Sequence, residues 1–600
     1  MARPAVAPPE STVETACPLD CPDACSLSVT LRGGRITRID GGYANDVTRG
    51  YICAKVRRFD RRVYGDDRLH FPVVRKGPKG SGRFTRVTWD YALDAIADNL
   101  RTTAAKHGGE AILPLCYGGS NGMLTQDYAD AILFRRLGAS RLLRTVCAAP
   151  TGAANMGLYG KMTSVVYQDY QDAKLIIVWG VNPGVSGIHL MPYLKDARAA
   201  GTTIVVIDPR ATSVARVADL HLAVRPGTDV VVALAIHRHL FESGAADEAF
   251  LAAHTTGADA LRERAMPWTF ERAAEVSGIR AEDLQRLAEL YAGTTPALVK
   301  CGWGLERNRN GGSAAAAVLA LPAVGGKFGV RGGGFSMSNS SSWGIERTWL
   351  HDQEPGTRAI NMNHVGRELT APSGDPIRSL FVYNCNPAAT LPDQRRVVEG
   401  LSREDLFTVV FDQVLTDTAQ FADIVLPATT FLEHYDYAKA YGPWHCGSHA
   451  PSSSRSASPA RTAEVFMDLV RRLDLGRDGD PDDDLDAMLA ARWVDCRNRS
   501  AASCVRTGGR RRRTRAAHQF VDVFPNTPDR KVHLCPAALD RGPQGAHRVQ
   551  ADPATEHFPP RALISPASDR TISSTLGEIN RPDAARDAPV GRGGPGDRRR

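Results

Sequence analysis

The chain has 600 residues, a formal net charge of +8, and 43% hydrophobic and 23% charged residues. This composition is typical of a soluble globular protein, and the length predicts several domains rather than one hydrophobic core. The sequence has no run of about 18 or more apolar residues, so no transmembrane segment is predicted. Much of the basic excess lies in RTGGRRRRTR and GDRRR without interleaved aromatic residues, so no nucleic-acid partner is expected. The N-terminal MARPAVAPPESTVETA has neither an apolar core region nor a twin-arginine pair, which favours a cytoplasmic protein.

Four cysteines near the N-terminus form the most specific motif. Cys17, Cys21 and Cys25 lie in CPLDCPDAC, and Cys53 follows in GYICAK. Thiolates gathered in this way are the ligands of a 4Fe-4S cluster, and their three-plus-one grouping differs from the paired Cys-x2-Cys of structural zinc. Zinc and unrelated core cysteines stay open as alternatives, and disulfides are less expected because no secretory signal is visible. Lys55 is either a solvated lysine or a cation between the cluster and a second redox centre.

A helix and two α/β units follow. Apolar residues at helical spacing from Trp89 to Leu100 predict a helix, which ends at Gly108 and Gly109. The apolar runs KLIIVWG (174–180) and TTIVVIDPR (202–210) predict two strands with a helix between them. Such runs, alternating with helices, predict a parallel sheet that is covered on both faces.

The same strand pattern recurs later in the chain. SLFVYNCNPAA (379–389) and LIIVWGVNPG (175–184) both carry Asn-Pro after a strand, while LFTVVFDQ (406–413) and TTIVVIDPR both carry an Asp. The repetition indicates two similar nucleotide-binding halves. Ligands of open α/β sheets lie beyond the carboxyl ends of the strands, where Asp208 and Asp412 can accept hydrogen bonds from a ribose or a guanine edge. The alternative is that both are ordinary turn residues.

Together these motifs resemble a known family. CPLDCPDAC, GYICAK, WGVNP, VIDPR, RPGTD and TDTAQFADIVLPATTFLE are similar, in this order, to the molybdopterin oxidoreductases of the dimethyl sulfoxide reductase family, from about residue 17 to about residue 437. The resemblance implies one molybdenum (or tungsten) ion held by two molybdopterin guanine dinucleotides, and a 4Fe-4S cluster that passes electrons.

The fold that the resemblance implies is α/β and multi-domain. It has a small N-terminal iron–sulfur domain, two similar doubly wound parallel-sheet nucleotide-binding halves, and an incomplete C-terminal β-barrel cap. The expected segments are 1–75 for the 4Fe-4S cluster domain, 76–140 for a helical and α/β segment joining the substrate-funnel domain, 141–345 and 346–480 for the first and second dinucleotide-binding domains, and 481–600 for a degraded or partly disordered remnant of the pterin-binding cap.

Site residues are also implied by the resemblance. Those expected to contact the first guanine dinucleotide are Asn182, Asp208, Gly227 and Asp229. Those expected to contact the second are Asn386, Asp412 and Asp423. Lys55 matches the basic residue between the cluster and a pterin. Glycines let the backbone approach a pterin or phosphate closely, because they have no Cβ, and the candidates in CGWGLERNRNGG are Gly302, Gly304 and Gly311.

The metal needs one more protein ligand, which in the family is Ser, Cys, selenocysteine or Asp. Cys147 in TVCAAPTGAANMGLYG occupies the corresponding region, and a thiolate suits a centre already bound by dithiolene sulfur. The alternative is a small buried hydrophobe, as free Cys often is. Formate dehydrogenases of the family carry a His directly after the ligand, where this chain has Ala148. The segment is more similar to the thiosulfate and polysulfide reductases.

The resemblance therefore implies a molybdopterin-dependent oxidoreductase acting on a small oxo- or sulfur-compound, with electrons passing through the cluster to a ferredoxin-like or quinone-linked partner. The alternatives are a formate dehydrogenase-like enzyme, a molybdenum-free electron-wiring or structural subunit, and hydration at a tungsten centre as in acetylene hydratase. Asp20, beside Cys21, is a candidate acid for hydration or a turn cap. His189 and Tyr159 are candidates for the substrate funnel, with a core histidine as the alternative for His189.

The last third of the chain changes character from about residue 444. Arg-, Ser- and Gly-rich stretches alternate with the coherent segments EVFMDLVRRLDLG, FVDVFPNTPDRKVHL and ALISPASDRTISSTLGE. The first segment predicts an amphipathic helix, and the others predict strands and turns. The biased stretches are either disordered linkers or out-of-frame translation of a GC-rich gene, with the coherent segments in frame.

Overall fold

The computed structural model describes residues 9–340, 354–442, 446–449 (backbone only), 459–480 and 518–535, all within one compact unit, 1–563. The strands are β1 Glu10–Ala16, β2 Ser26–Arg32, β3 Arg35–Gly41, β4 Val73–Arg75, β5 Phe84–Arg86, β6 Ile112–Cys116, β7 Arg141–Leu143, β8 Leu175–Trp179, β9 Thr203–Ile207, β10 Leu220–Leu222, β11 Thr255–Thr256, β12 Ala297–Cys301, β13 Gly334–Ser336, β14 Ala359–Asn361, β15 Ser379–Tyr383, β16 Phe407–Asp412, β17 Ile424–Pro427, β18 Asp436–Lys439, β19 Cys446–His449 and β20 Val532–His533.

The α-helices begin with a short pair after the fourth cysteine and end with an amphipathic helix. They are α1 Ala54–Arg57, α2 Asp60–Tyr64, α3 Trp89–His107, α4 Ala129–Arg136, α5 Ala149–Tyr159, α6 Leu190–Ala199, α7 Asp229–Glu242, α8 Glu248–His254, α9 Ala258–Ala265, α10 Phe270–Ser277, α11 Ala281–Gly293, α12 Gly311–Val324, α13 Val365–Thr370, α14 Pro387–Thr390, α15 Gln394–Leu401 and α16 Thr462–Arg472. In the part of the chain that the structure describes, no helix is long and apolar enough to cross a bilayer.

The N-terminal domain is an antiparallel sheet of β1, β2 and β3. Alternate residues of β2, Leu27 and Val29, are fully buried, as the two-residue period of a strand requires. Cys17 follows β1 and Cys25 precedes β2, and the Cys17 N–H donates to the Cys25 carbonyl at 2.8 Å. The sheet therefore closes the loop that carries the first three cysteines.

The first α/β half contains a five-stranded sheet in the order β10-β9-β8-β12-β13, with every pair parallel. All five residues of β8 are buried. Ile177 belongs to the core on one face, which includes residues of α7 and α12, and Ile176 belongs to the core on the other, which includes residues of α6. Helices on both faces exclude water from the whole strand, which explains its continuous apolar sequence and confirms the predicted doubly wound sheet.

The second half repeats this plan with the order β5-β4-β17-β16-β15-β6. Strands β6, β15, β16 and β17 are parallel, and the short β4 and β5 extend one edge in antiparallel fashion. Phe381 faces a core shared with α3, α4 and α16, while Leu380 faces one shared with α13 and α15. Segment 76–140 was expected to be a helical and α/β segment joining the substrate-funnel domain. It supplies β5, β6, α3 and α4 to this half, where β6 hydrogen-bonds along β15.

Two coherent segments of the last third are ordered. The predicted amphipathic helix is α16, whose apolar face is buried in the second half. Residues 518–535 pack on the first half instead, where β20 pairs with β11 and the rings of Phe520 and Phe328 pack with their centroids 4.8 Å apart. The expected cap remnant over 481–600 stays a prediction. The remainder of that range, including the predicted β-barrel cap and the segment ALISPASDRTISSTLGE, lies outside the described residues.

Candidate metal and nucleotide sites

The two halves present equivalent edges to a ligand. In each sheet the strand that precedes Asn-Pro is flanked by the strand that ends in an Asp, β8 by β9 and β15 by β16. Asn182 and Asp208 therefore lie at the carboxyl ends of neighbouring strands in the first half, and Asn386 and Asp412 do so in the second. This is where open parallel sheets bind nucleotides.

The first edge holds polar atoms that other protein groups do not satisfy. Asn182 Oδ1 and Trp303 Nε1 are buried, and neither has a hydrogen-bond partner among the described residues. Burial raises the pKa of Asp208, although the Arg210 N–H donates to its Oδ1 at 2.8 Å. Buried polar atoms are rarely left unsatisfied, so this edge fits a polar ligand such as a nucleotide cofactor.

Gly227 and Asp229 lie on the loop that begins α7. Gly227 has a φ of +87°, a left-handed conformation that favours glycine, and the Asn310 amide donates to its carbonyl at 2.8 Å. Asp229 is buried, and its Oδ1 accepts a hydrogen bond from Trp179 Nε1 at 2.8 Å. The structure therefore gives Asp229 a role in joining α7 to β8.

The glycines of CGWGLERNRNGG make close contacts within the chain itself. A Cβ on Gly302 would overlap the Gly180 carbonyl, and one on Gly304 would lie 2.6 Å from the same oxygen. A Cβ on Gly311 would lie 2.5 Å from the Leu305 carbonyl. The expected reason for these glycines was approach to a cofactor. In the structure, Gly302 and Gly304 allow the loop after β12 to pack on the loop after β8, and Gly311 allows the start of α12 to pack on Leu305 of its own loop. Close approach to a cofactor stays a prediction for all three.

The second edge encloses a cavity of about 320 Å³. Asn386 and Asp412 both line it, together with Asn384 and Gln413. Burial raises the pKa of Asp412 to about 6. Asp423 does not line this cavity. Asp423 precedes β17, whereas Asp412 ends the neighbouring parallel strand β16, so the two lie at opposite ends of the sheet. The Asp423 carboxylate pairs with Arg75 at 2.9 Å and with Lys79 at 3.0 Å.

The four N-terminal thiols lie in one protected environment. Burial raises the pKa of Cys17 to about 12 and also raises the pKa values of Cys21 and Cys25, and neighbouring cysteines raise all three further. Within the described ranges, no three His, Cys, Asp or Glu side chains converge as ligands of one metal ion. Ligation of a 4Fe-4S cluster would require these thiols to ionise against that burial, which the positive charge of the iron ions would favour. Lys55, exposed on α1, lowers the pKa of Cys17 against this burial.

Cys147 lies just before α5, where the two halves meet. Arg307 follows β12 of the first half, and its guanidinium donates to Cys147 Sγ at 3.7 Å and to the Val146 carbonyl at 2.7 Å. Tyr117 follows β6 of the second half, and burial, followed by the nearby Cys147, raises the pKa of its hydroxyl. Burial raises the pKa of Cys147, and the Arg307 charge opposes that rise. The guanidinium therefore favours the thiolate that a metal ligand must be.

Two carboxyl groups influence the Cys147 thiol. Asp20 accepts hydrogen bonds from Asn121 at 3.0 Å and from the Tyr441 hydroxyl at 3.3 Å. Glu306 accepts one from the Thr151 hydroxyl at 2.5 Å, and burial raises its pKa to about 7. Both carboxyl groups raise the pKa of Cys147. The sequence analysis did not single out Glu306 or Arg307, although both lie inside the glycine-rich motif CGWGLERNRNGG.

The two candidates for the substrate funnel are core residues. Tyr159 is completely buried, and its hydroxyl donates to the Leu319 carbonyl at 2.6 Å. His189 is also buried, beside the cysteine loop, where its ring lies between Asp23 and the Tyr51 carbonyl. The alternative for His189, a satisfied core histidine, describes its position, and the funnel expectation is wrong for both residues.

Two parallel-sheet halves with the same arrangement of Asn and Asp at their strand ends, a thiol that contacts residues of both halves and a cysteine-rich N-terminal domain are typical of one class of protein, the cofactor-binding metallo-oxidoreductases. Comparison with protein families specifies the class further. Residues 68–440 match the family Molybdopterin oxidoreductase, and residues 10–65 match the Molybdopterin oxidoreductase Fe4S4 domain. The chain belongs to the molybdopterin oxidoreductase family, whose members are enzymes with a molybdopterin cofactor and a 4Fe-4S cluster.

Individual relatives agree with this assignment. The chain is 36% identical to Probable oxidoreductase YoaE of Bacillus subtilis over 466 residues, covering 77% of this chain and 68% of the relative. It is 27% identical to Dimethyl sulfoxide reductase DmsA of Haemophilus influenzae over 497 residues, covering 72% and 60%. Among solved structures, Acetylene Hydratase from Pelobacter acetylenicus has the same fold, with a TM-score of 0.73 at 20% identity over 94% of this chain and 81% of that one.

Proposed function

We propose that this chain is the catalytic component of a molybdenum-dependent oxidoreductase with two molybdopterin guanine dinucleotides, in which Cys147 ligates the metal. Cys17, Cys21, Cys25 and Cys53 hold the 4Fe-4S cluster. Asn182 and Asp208 bind one nucleotide, and Asn386 and Asp412 bind the other. When bound, the metal centre supplies two-electron chemistry at a substrate atom, and the cluster passes electrons singly to a protein partner.

One observation carries the proposal, the position of Cys147 between the two sheet edges. Its neighbours Arg307 and Tyr117 each follow the strand that lies beside the Asn-Pro strand of their half. A thiolate at this junction is within reach of a centre that both nucleotide cofactors share. Retention of this thiol, with an Arg that favours its ionisation, argues against a metal-free wiring subunit.

The surrounding side chains suit a reaction that consumes or releases protons. Arg307 donates to the Cys147 sulfur, and the carboxyl groups of Asp20 and Glu306 are near enough to oppose its ionisation. Reduction of an oxo-compound consumes two protons for each oxygen atom removed as water, so nearby carboxyl groups serve as their source. The same groups could donate to a sulfur product.

The substrate that we propose is a small oxo- or sulfur-compound. DmsA, named for dimethyl sulfoxide reduction, supports the oxo class. Ala148 directly after Cys147 disfavours the formate dehydrogenase pattern, which has a His there. Hydration remains a second candidate, because Acetylene Hydratase shares the fold and Asp20 offers a carboxyl group beside the cysteine loop. An electron-transfer protein, ferredoxin-like or quinone-linked, completes the redox reaction.

Cofactor analysis of anaerobically purified protein tests the proposal, with iron, molybdenum, tungsten and zinc measured together with released pterin. We expect about four iron atoms per chain, with molybdenum and guanine dinucleotide pterin. Cys147→Ala should keep the iron but lose turnover of sulfoxide, thiosulfate or polysulfide and alter the molybdenum EPR signal. Cys535→Ala, a control at another half-buried cysteine, should keep both. Zinc alone, or an unchanged Cys147→Ala enzyme, contradicts the proposal, and turnover of acetylene alone selects hydration.

A further inference from the structure

The N-terminal domain carries a strongly basic surface beside the fourth cysteine. Residues 35–62 contain eight arginine and lysine residues against three aspartates, a net charge of +5 in a chain whose total is +8. Most of these basic residues lie on β3 and on the short helices α1 and α2, which pack on β3. The Tyr64 hydroxyl of α2 accepts a hydrogen bond from the Ile36 N–H of β3 at 2.9 Å. Packing around one strand therefore gathers the positive charges on one part of the surface.

The aspartates neutralise only part of this charge. Arg38 and Arg57 both pair with Asp40, so two guanidinium groups share one carboxylate. Arg58 and Arg61 are exposed, and neither forms an ion pair with a residue that the structure describes. Unneutralised charges on a surface create a field that steers an oppositely charged partner towards it. The charge on this surface is therefore complementary to an acidic partner.

An exposed aromatic residue and an open cavity lie beside these arginines. Tyr43 is 73% exposed, and it lines a cavity of about 600 Å³ together with Arg38, Asp40 and Glu14. A Cβ on Gly50 would lie 2.4 Å from the Tyr43 ring, so the exposed ring rests on the backbone there. Tyr and Arg are enriched at protein–protein interfaces, where the aromatic ring supplies a large contact area. The basic face, as defined here, comprises Arg38, Tyr43, Arg57, Arg58 and Arg61.

The basic face adjoins two of the cysteines that are proposed to hold the cluster. Cys53 directly precedes α1, and its carbonyl accepts a hydrogen bond from the Arg57 N–H at 3.2 Å. Gly42, the residue before Tyr43, donates at 2.8 Å to the carbonyl of the residue that follows Cys25. The rate of electron transfer falls steeply with distance. A redox protein that docks on this face therefore reaches the proposed cluster by a short path.

We propose that the basic face is the docking surface for a small acidic electron-carrier protein of the ferredoxin type. The inference rests on the cluster ligation within the proposed function, and it names the partner of that cluster. Electron-transfer complexes are small and short-lived, so charge rather than buried apolar area guides them. The carrier gives up one electron at each encounter and is itself oxidised, and that electron passes to the cluster. Two encounters supply the two electrons that reduction of an oxo-compound consumes.

Isothermal titration calorimetry of the full-length protein with an acidic 2Fe-2S ferredoxin tests the basic face. The wild type should bind oxidised ferredoxin at low ionic strength. Its affinity should fall steeply as salt is added, because exposed charges are screened beyond about 10 Å at 0.1 M salt. The double variant Arg58→Glu with Arg61→Glu reverses two unneutralised charges, so it should bind at least about tenfold more weakly and with a smaller salt dependence.

Three further variants separate charge, contact area and position. Arg58→Lys with Arg61→Lys keeps both charges and should retain most of the affinity. Tyr43→Ala should weaken binding without changing its salt dependence, because the substitution removes contact area but no charge. Arg286→Glu makes a charge reversal at an exposed arginine of α11 in the first half, and should leave the affinity unchanged. Circular dichroism and iron content show whether each variant is folded.

Equal affinity of the wild type and the folded Arg58→Glu, Arg61→Glu variant would overturn the proposal, as would an equal loss in Arg286→Glu. Wild-type protein that binds phosphatidylserine vesicles but not ferredoxin would also overturn it, and would assign the basic face to a membrane surface. A wild-type protein with iron but no molybdenum contradicts the proposed enzyme, yet leaves ferredoxin binding measurable. Full cofactor content without ferredoxin binding contradicts this inference alone, so the two failures are distinguishable.

Discussion

The Glu306 carboxyl group accepts a hydrogen bond from the Thr151 hydroxyl at 2.5 Å, in the first turn of the helix that follows Cys147. That helix has no side-chain cap of its own, so a carboxyl group from the first half occupies its positive end. Arg307, the next residue, donates to Cys147 itself. Two neighbouring residues thus hold the proposed metal ligand and the helix behind it.

Glu306→Gln should change how stability depends on pH. The folded chain raises the pKa of this carboxyl group from 4.5 to about 7, so the folded state binds its proton more tightly than the unfolded chain does. The stability that Glu306 contributes to the free energy of unfolding is therefore fully present below about pH 4.5. It declines as the pH rises to about 7, by roughly 3 kcal/mol in total.

Thermal unfolding midpoints measured across this range check the prediction. Glu306→Gln should flatten the decline between about pH 5 and 7. Glu404→Gln is the control, because Glu404 is exposed and its pKa is lowered, so its own titration lies below the range. An equal pH dependence in the wild type and Glu306→Gln would contradict the raised pKa.

Asp412→Asn should reduce the content of guanine dinucleotide pterin in the purified protein. Its carboxylate lines the second cavity, and an amide cannot accept both hydrogen bonds that a guanine edge offers. Asp423→Asn is the matched control. It should lower the thermal midpoint, because Arg75 and Lys79 lose their shared partner, yet leave pterin content unchanged. If Asp423→Asn lowers the pterin content instead, Asp423 contacts the cofactor.

Gly302→Ala should destabilise the protein by about 1–3 kcal/mol, because its Cβ overlaps the Gly180 carbonyl in a packed region. Gly312→Ala provides the comparison, since its Cβ would meet only Pro150 atoms at 3.8 Å within α12. There the substitution should be neutral or stabilise by up to about 1 kcal/mol. Chemical denaturation of the apoprotein measures both, and equal effects would show that the loop contact is not tight.

Phe520→Ala should destabilise the first half by about 2–4 kcal/mol, because the ring packs on Phe250 and Phe328, both at 4.8 Å. Phe524→Ala, at a residue 38% exposed, should cost less than about 1 kcal/mol. Thermal unfolding of the two variants compares them. An unfolding midpoint that Phe520→Ala leaves unchanged would mean that segment 518–535 does not stabilise the fold.

The identity of the chain could be predicted from sequence because its signals are local. The spacing of the first three cysteines, the buried strands 175–179 and 407–412, and the Asn and Asp residues at their ends are each defined within about ten residues. Backbone periodicity and turn chemistry act over that range, so both α/β halves and the polar residues at their strand ends could be predicted without coordinates. Asp423 precedes β17 and therefore lies at the amino end of that strand, so its contact with a nucleotide rests on the family resemblance alone and stays a prediction.

The sequence by itself determined the family, the cysteine domain, the two parallel-sheet halves and the candidate thiol Cys147. Only the tertiary structure decided which residues surround that thiol, that 76–140 completes the second sheet, and that His189 reaches Asp23 across 166 positions. The reason is physical. Local patterns fix secondary structure over a few residues, whereas these contacts depend on how whole sheets and helices pack, and packing brings distant segments together in ways that no short pattern encodes.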